Sequence, residues 1–286
     1  MPLSLDQAIA LEKKANELRH LIVDTTVWAG SGHLGGSLSM IDAAVLLYYH
    51  FMKIDRTNTD WPERDRFILS KGHAGIGYAA LLSDLGFLPK EDLKQFNLTG
   101  SYLGIHLDGN KVPGVDASTG SLGHGLSIAL GMALAGSQQQ KTYRTYCILG
   151  DGECNEGSVW EAAMAISQFQ ANRLLTLVDR NFAMIDGPTE DVMGLEPFAD
   201  KWRAFGLYTE EVDGHDFFAM AEAIERAHDR EQPSCLILNT IKGAGVDFAS
   251  GDYRWHYGAI DESLANEAHH SLDVYHQQRL SAMKGA

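Results

Sequence analysis

The sequence predicts an α/β fold, a largely parallel sheet covered by helices on both faces. The stretch 145–187 reads strand, turn, helix, strand, a βαβ unit. Apolar runs alternate with helix-length segments along most of the chain, the order that builds parallel sheets. At 286 residues and 45% hydrophobic composition the chain can build a full core.

Leu5 to Ala29 reads as one long amphipathic helix, with Ile9, Leu11, Leu18, Leu21 and Ile22 mostly on one face. A small-residue loop, His33 to Ser39, carries one imidazole and leads to a helix over about 40–51. Residues 55–65 are polar, hold Pro62 and form a loop. Arg66 to Leu69 is a short strand that runs into Ser70-Lys71-Gly72-His73. Helices follow at His73 to Leu85 and near 90–96. Leu103 to Gly120 is a long glycine-rich loop, and such loops in compact domains are usually functional or mobile.

Ser121 to Ala135 reads as a helix whose Gly125, Ala129, Gly131 and Ala133 permit close packing against another helix. Thr145 to Leu149 and Leu174 to Val178 are strands around a helix at Val159 to Gln170. Then come a helix near Pro197 to Phe205, a strand near Leu207 to Val212, a helix at Phe217 to His228 and a strand at Ser234 to Ile241. Lys242-Gly243-Ala244-Gly245 follows that strand. The whole chain, 1–286, reads as a single domain with a C-terminal extension from about 247, where Trp255-His256-Tyr257-Gly258 precedes an amphipathic, His-bearing segment.

A formal net charge of −15 argues against nucleic acid or an anionic membrane as a partner. No run is long enough for a transmembrane helix, and the N-terminus lacks a signal peptide's apolar core. Cys147, Cys154 and Cys235 show no metal spacing. Cys147 and Cys235 lie in apolar runs, as reduced core thiols of a cytoplasmic protein would.

The chemistry concentrates where two strands end. Gly150-Asp151-Gly152 closes one strand, and Asn181, about thirty residues on, closes the next. Ligands gather outside the carboxyl ends of parallel strands. A carboxylate and an amide oxygen are hard donors that leave a small cation half-coordinated, with room for phosphate oxygens. Gly152 lets a phosphate approach the backbone, and the following helix presents its positive end. The pattern reads as a site for a metal-bridged diphosphate, or, blandly, as a surface turn after an ordinary strand. His33, His73, His106 and His256 each sit in a glycine-rich context at an element end, where loops carry function. The other histidines, His215 among them, read as packed or solvated, with His124 undecided. Zinc is the rival for this imidazole set. The adjacent pair His269-His270 faces apart, and no other pair has close zinc spacing.

From about residue 15 to 260 the chain resembles the N-terminal part of transketolase. The segments that carry the resemblance are SGHLGGSLSM, RDRFILSKGHA, GVDASTGSLGHGLSIALGMALA, GDGECNEGSVWEAAM, VDRNFAMIDG, VDGHD and WHYG. The wording GHLGGSLS is closest to the split form, in which a separate chain supplies the pyrimidine-binding domain.

The resemblance implies a thiamine diphosphate-binding fold, specifically its diphosphate-binding domain. It implies Asp151, Asn181 and the Ala183 carbonyl as ligands of Mg2+, or of Ca2+ or Mn2+. It implies Gly152, His73 and His256 as diphosphate contacts, and Gly120, Ser121 and Leu122 as the wall beside the coenzyme rings. His33, His106 and His256 become sugar-facing catalytic imidazoles, suited to moving protons near neutral pH. Glu156 and Glu161 resemble acids near a subunit contact. The implied reaction is transfer of a two-carbon ketol unit from a ketose (phosphate) to an aldose (phosphate). A C-terminal subunit is then required as partner, in a hetero-oligomer of two copies of each.

Leu34 and Ser121 stand where the family usually has proline, His124 where glutamine is common, and Phe182 where glycine is common. Two other readings stay open. One is the alpha subunit of a 2-oxo acid dehydrogenase or decarboxylase. The other is a non-catalytic nucleotide-binding module of the dinucleotide-binding kind, although no third glycine stands at the expected spacing.

Overall fold

The computed structural model of the chain describes residues 2–285. Helix α1, Leu5–Ala29, opens on a capping box: Ser4 Oγ accepts from Gln7 N, and Gln7 Oε1 accepts from Ser4 N. It closes on Gly30 at φ +77°. Helix α2, Leu34–Leu46, starts directly after His33 and runs on as a π turn through Phe51. The expected loop at His33 to Ser39 is therefore mostly helix. Its glycines mark packing instead. A Cβ on Gly35 would stand 2.8 Å from the Lys242 side chain and 2.9 Å from the Trp255 carbonyl.

Strand β1, Arg66–Leu69, leads through a short 3-10 turn into α3, Gly75–Asp84. The long loop extends three residues beyond Gly120, so α4 spans His124–Gln138 and Ser121 stays outside it. Gly123 makes the break, at φ +84°. Strand β2 is Thr145–Gly150, helix α5 is Gly157–Gln168 and strand β3 is Leu174–Arg180. A hairpin, β4 (Ala183–Met184) with β5 (Gly187–Pro188), and the short helix α6, Thr189–Met193, follow; neither is expected from the sequence. The chain continues as α7 (Phe198–Ala204), β6 (Tyr208–Asp213), α8 (Phe217–His228), β7 (Ser234–Asn239) and α9 (Glu262–Gly285).

Among the described residues the main sheet has five parallel strands in the order β1-β2-β3-β7-β6. Side chains alternate between two cores. Tyr146, Ile148, Leu175, Leu177, Leu236 and Leu238 pack with α1, α2, α3 and α8. Cys147, Leu149, Leu174, Val178, Cys235 and Ile237 pack with α4, α5 and α7. Helices thus cover both faces, as the alternation predicts. All three cysteines are buried and free.

The small residues of α4 do a different task from the one expected. Gly125 approaches the end of β1 rather than a helix: an added Cβ would lie 2.3 Å from Ser70 Oγ and 2.6 Å from its Cα. Gly131 faces open space. We expect Gly125→Ala to destabilise the chain by about 1–3 kcal/mol through overpacking. Gly131→Ala should be neutral or gain up to about 1 kcal/mol of helix propensity. Urea unfolding of the two variants checks the contrast.

Candidate functional site

The carboxyl ends of four neighbouring strands converge. β1 delivers Ser70, Lys71 and His73; β2 delivers Asp151 and Gly152; β3 delivers Asn181; β7 delivers Thr240 and Lys242. They frame a cavity of about 370 Å³ whose lining includes Lys71, His73, Asp151, Asn181, Lys242 and His256.

The centre of this frame is the buried carboxylate of Asp179. Its oxygens accept from Ser39 Oγ at 2.6 Å, from Lys71 Nζ, from Thr240 Oγ1 and from Asn181 Nδ2 at 3.0 Å. Burial would raise the Asp179 pKa, but the Lys71 ammonium and the donated hydrogen bonds hold it below the ordinary value. A carboxylate accepts only, so the amide nitrogen of Asn181 must face it, and Oδ1 is turned the other way. That oxygen takes one bond, from Ala183 N at 3.2 Å, and keeps a free lone pair.

Asp151 is held equally firmly. One oxygen accepts from Phe182 N (2.8 Å), Thr189 Oγ1 (3.0 Å) and Arg180 Nη1 (3.2 Å); the other accepts from Gly152 N at 2.8 Å. Burial and the Asp179 charge raise its pKa, against the pull of Arg180. The Ala183 carbonyl accepts from Lys242 Nζ at 2.8 Å. Burial and the neighbouring Lys71 charge pull the Lys242 pKa down to about 8.

A second buried carboxylate, Glu153, ties the loops together. It accepts from Ser70 Oγ, from Gly123 N at 2.9 Å and from Gly150 N at 3.0 Å. The long loop is anchored by Asp116, which takes Arg64 Nη2 at 2.7 Å and Phe67 N at 2.9 Å. Thr119 Oγ1 donates to the Leu69 carbonyl at 2.6 Å. These bonds set Gly120 and Leu122 in the cavity wall.

Three of the imidazoles form one cluster. The His33, His73 and His256 rings lie with centroids 5.1–5.3 Å apart, and Tyr257 packs on His33 at 4.8 Å. Burial, with the nearby lysine charges, takes His33 to about 4 and His256 to about 3, and holds His73 well below its usual range. Among the described residues the buried Nδ1 atoms of His33 and His256 have no hydrogen-bond partner. Unpaired buried polar atoms beside two buried lysines suit an anionic, hydrogen-bonding ligand.

Residues 11–280 match the family defined as transketolase, thiamine diphosphate binding domain. The chain belongs to the transketolase family. It is 42% identical over 260 residues to the 6-deoxy-6-sulfo-D-fructose transketolase subunit of a Clostridium species, covering 91% of this chain and 94% of that protein. It is 37% identical to an apulose-4-phosphate transketolase subunit from Phocaeicola vulgatus, covering 92% and 93% respectively. The crystal structure of Campylobacter jejuni transketolase superposes with a TM-score of 0.84 at 27% identity, over 96% of this chain and 48% of that one. The chain thus spans about half the length of the solved transketolases it matches.

Within this transketolase-family chain the structure brings together most of the residues singled out by sequence. His73, Gly120, Leu122, Asp151, Gly152, Asn181, Ala183 and His256 all line the cavity. His33 stands behind it, in ring contact with His73 and His256. His106 is exposed and packs beside Gly120, where a Cβ would meet its ring at 2.8 Å. Ser121 is exposed and stands outside the cavity lining, in the loop before α4. Glu156 and Glu161 are exposed on this chain. Phe182, standing where glycine is common, has φ +61°, a conformation glycine enters without strain.

Lys71, Lys242, Asp179 and Glu153 are buried charged residues of this site that the sequence reading does not single out. The two lysines lie within three residues of a strand end, Lys71 after β1 and Lys242 after β7, a looser form of the signal that marks Asp151.

The depressed imidazoles carry a pH signature. Folded His33 and His256 titrate near 4 and 3, and His228 near 4, below the ordinary 6.5. Between those values the unfolded chain binds protons that the folded chain does not, so stability falls as pH drops through that window. We expect the cofactor-free chain to lose stability from about pH 6.5 towards 4. The double variant His33→Asn, His256→Asn should show a shallower slope in urea unfolding across the same range.

Proposed function

We propose that the chain is the thiamine diphosphate-binding subunit of a two-component transketolase. It moves a two-carbon ketol unit from a ketose to an aldose. The observation that carries this reading is the pair Asp151 and Asn181, set at the ends of paired strands and lining one cavity beside two buried lysines. Its relatives of matching length are themselves named as transketolase subunits.

In this reading Asp151, Asn181 and the Ala183 carbonyl hold the divalent cation. The oxygen-only donor set suits a hard ion, Mg2+ first and Ca2+ or Mn2+ as substitutes. Gly152, His73 and His256 receive the diphosphate, with Lys71 and Lys242 supplying positive charge. Gly120 and Leu122 form the wall for the rings, with Ser121 at the outer edge. Thiamine diphosphate, when bound, supplies the carbanion chemistry that cleaves and remakes the ketose carbon–carbon bond. His33 and His256 then exchange protons with sugar hydroxyls, and His106 contacts the two-carbon fragment from the loop side. Burial keeps both rings neutral and weakly basic before ligand binds, which departs from the expectation of imidazoles poised near neutral pH and suits them first as hydrogen-bond acceptors.

Exposed apolar side chains stand close to this cavity. Ile185, in its lining, is 63% exposed; Phe182, next to Asn181, is 46% exposed, and Met193, at the end of α6, 61%. Such surface supports a protein partner. We assign the partner as a C-terminal subunit that brings the pyrimidine-binding domain and the sugar-tail contacts, in an assembly of two copies of each. Residues 1–286 act as one diphosphate-binding domain, and the extension from about 247 returns His256 to the site. The setting is cytoplasmic. Among the described residues no helix is long and apolar enough to cross a membrane. Sulfonated or phosphorylated ketoses are the substrate classes suggested by the relatives' names.

The test compares the lone chain with the reconstituted pair, using thiamine diphosphate and Mg2+ and following ketol transfer against pyruvate decarboxylation. We expect turnover only from the pair, only in ketol transfer, and a loss of at least about 100-fold with Asp151→Ala, the scale of a few kcal/mol. Substantial turnover by the lone chain would defeat the two-subunit assignment, and pyruvate decarboxylation would favour the 2-oxo acid reading.

A further inference from the structure

The segment Val212-Asp213-Gly214-His215-Asp216 joins β6 to α8, and no residue of it enters the coenzyme cavity. Most of its residues have a local explanation. Asp213 Oδ1 accepts from His215 N at 2.8 Å. Asp216 caps α8, accepting from Phe218 N at 2.8 Å and Ala219 N at 3.2 Å. Gly214 presses on the end of β7, where a Cβ would lie 2.4 Å from Thr240 Cγ2. The turn therefore leaves one side chain, His215, placed over the chain that leaves β7.

The two ring nitrogens of His215 have different partners. Nε2 accepts from the backbone N–H of Ile241 at 2.9 Å, and Nδ1 lies 2.8 Å from Asp42 Oδ2. A nitrogen that accepts an N–H carries no proton, so the proton sits on Nδ1 and is donated to Asp42. Asp42, on α2, is itself fixed by two guanidiniums: Arg19 of α1 at 2.6 Å and Arg279 of α9 at 3.1 Å. Burial would raise its pKa, and the two arginines hold it well below the usual carboxylate range. The ring is thus locked in one tautomer and one orientation.

Ile241 is the residue immediately before Lys242, whose buried ammonium reaches Ala183 and lines the cavity. On the far side, Gly243 N donates to the Gly35 carbonyl at 3.0 Å. The backbone carrying Lys242 is therefore pinned before it by His215 and after it by Gly35, while Gly251 N donates to the Lys242 carbonyl at 2.7 Å and leaves the Ile241 N–H to His215. A long amine buried in a cavity gains hydration by swinging out, so both pins oppose that motion.

We infer that His215 is a positioning residue for the coenzyme site: oriented by Asp42, it fixes the backbone at Ile241 and so aims Lys242 into the cavity. The inference rests on the reading that this cavity binds thiamine diphosphate with a divalent cation. It also gives the C-terminal helix α9 a connection to the site, through Arg279 and Asp42.

Two variants of the full chain separate the ring's two bonds. His215→Asn keeps a donor for Asp42 but cannot reach Ile241. His215→Gln keeps an acceptor within reach of the Ile241 N–H. Each is measured by amide exchange of Ile241 and by calorimetric binding of thiamine diphosphate with Mg2+, alone and combined with Lys242→Met.

We expect His215→Asn to speed Ile241 exchange and weaken thiamine diphosphate binding by about tenfold each, the scale of one lost hydrogen bond. α8 should stay protected, and His215→Gln should restore most of both effects. In the Lys242→Met background the binding penalty of His215→Asn should vanish, because both act on the same side chain. Unchanged Ile241 exchange, equal behaviour of the Asn and Gln variants, loss of α8 protection, or penalties that multiply in the double variant would each overturn the inference. If the unmodified chain shows no affinity for thiamine diphosphate either alone or paired with the C-terminal subunit, the coenzyme reading fails, and the exchange data alone decide whether His215 holds the Lys242 backbone.

Discussion

A buried ion pair between Asp179 and Lys71 holds the site together. The two side chains, each 1% exposed, come from the ends of β3 and β1, with β2 between them. The same carboxylate also takes hydroxyls from α2 and from the end of β7, and the amide of Asn181. Removing one partner of such a pair leaves an uncompensated charge, which typically costs about 3–5 kcal/mol. The pair therefore fixes which strand ends meet and which way the Asn181 oxygen points.

Around this pair opposite charges interleave. Lys71 sits on Asp179, Arg180 on Asp151, and Lys242 on the Ala183 carbonyl. The imidazole cluster of His33, His73 and His256 completes the site. Hydrogen-bonding atoms left unpaired in the interior are costly, and His33 and His256 each keep one. On the proposed function, a ligand that is anionic at one end and linked to a divalent ion would engage the lysines and imidazoles together with Asp151 and Asn181. A dinucleotide-binding turn offers no reason for a strand-end amide opposite the carboxylate. A transketolase-family site does.

Much of this is legible in the sequence, for local reasons. Polar side chains at the ends of apolar runs identify Asp151, Asn181 and His73, because burial of parallel strands makes their ends conspicuous. The alternation of elements gives the two-faced sheet, and the α1 and α8 boundaries follow from their caps. What is not legible depends on distant chain. Gly35 and Gly36 suggest a loop, yet they belong to a helix pressed against Lys242, Trp255, Lys71 and His73. Gly125 suggests a helix contact and meets Ser70. Lys71 and Asp179 look unremarkable until β1 and β3 are set on either side of β2. His215 reads as an ordinary packed residue, since Asp42 lies on α2, far away in sequence. The start of α4 is read three residues early, at Ser121 instead of His124, because the Gly123 break is set by tertiary packing.

The coupling between cation and coenzyme is the property most particular to this arrangement. The direct measurement is calorimetric titration of thiamine diphosphate into the chain, with and without Mg2+, for the natural sequence and for Asn181→Ala. We expect each ligand to tighten the other by the same factor, as linkage requires, and Asn181→Ala to abolish that coupling while the chain stays folded. Equal affinity for the coenzyme in the presence and absence of the cation, or coupling that survives loss of the Asn181 amide, would contradict a metal-bridged diphosphate at these strand ends.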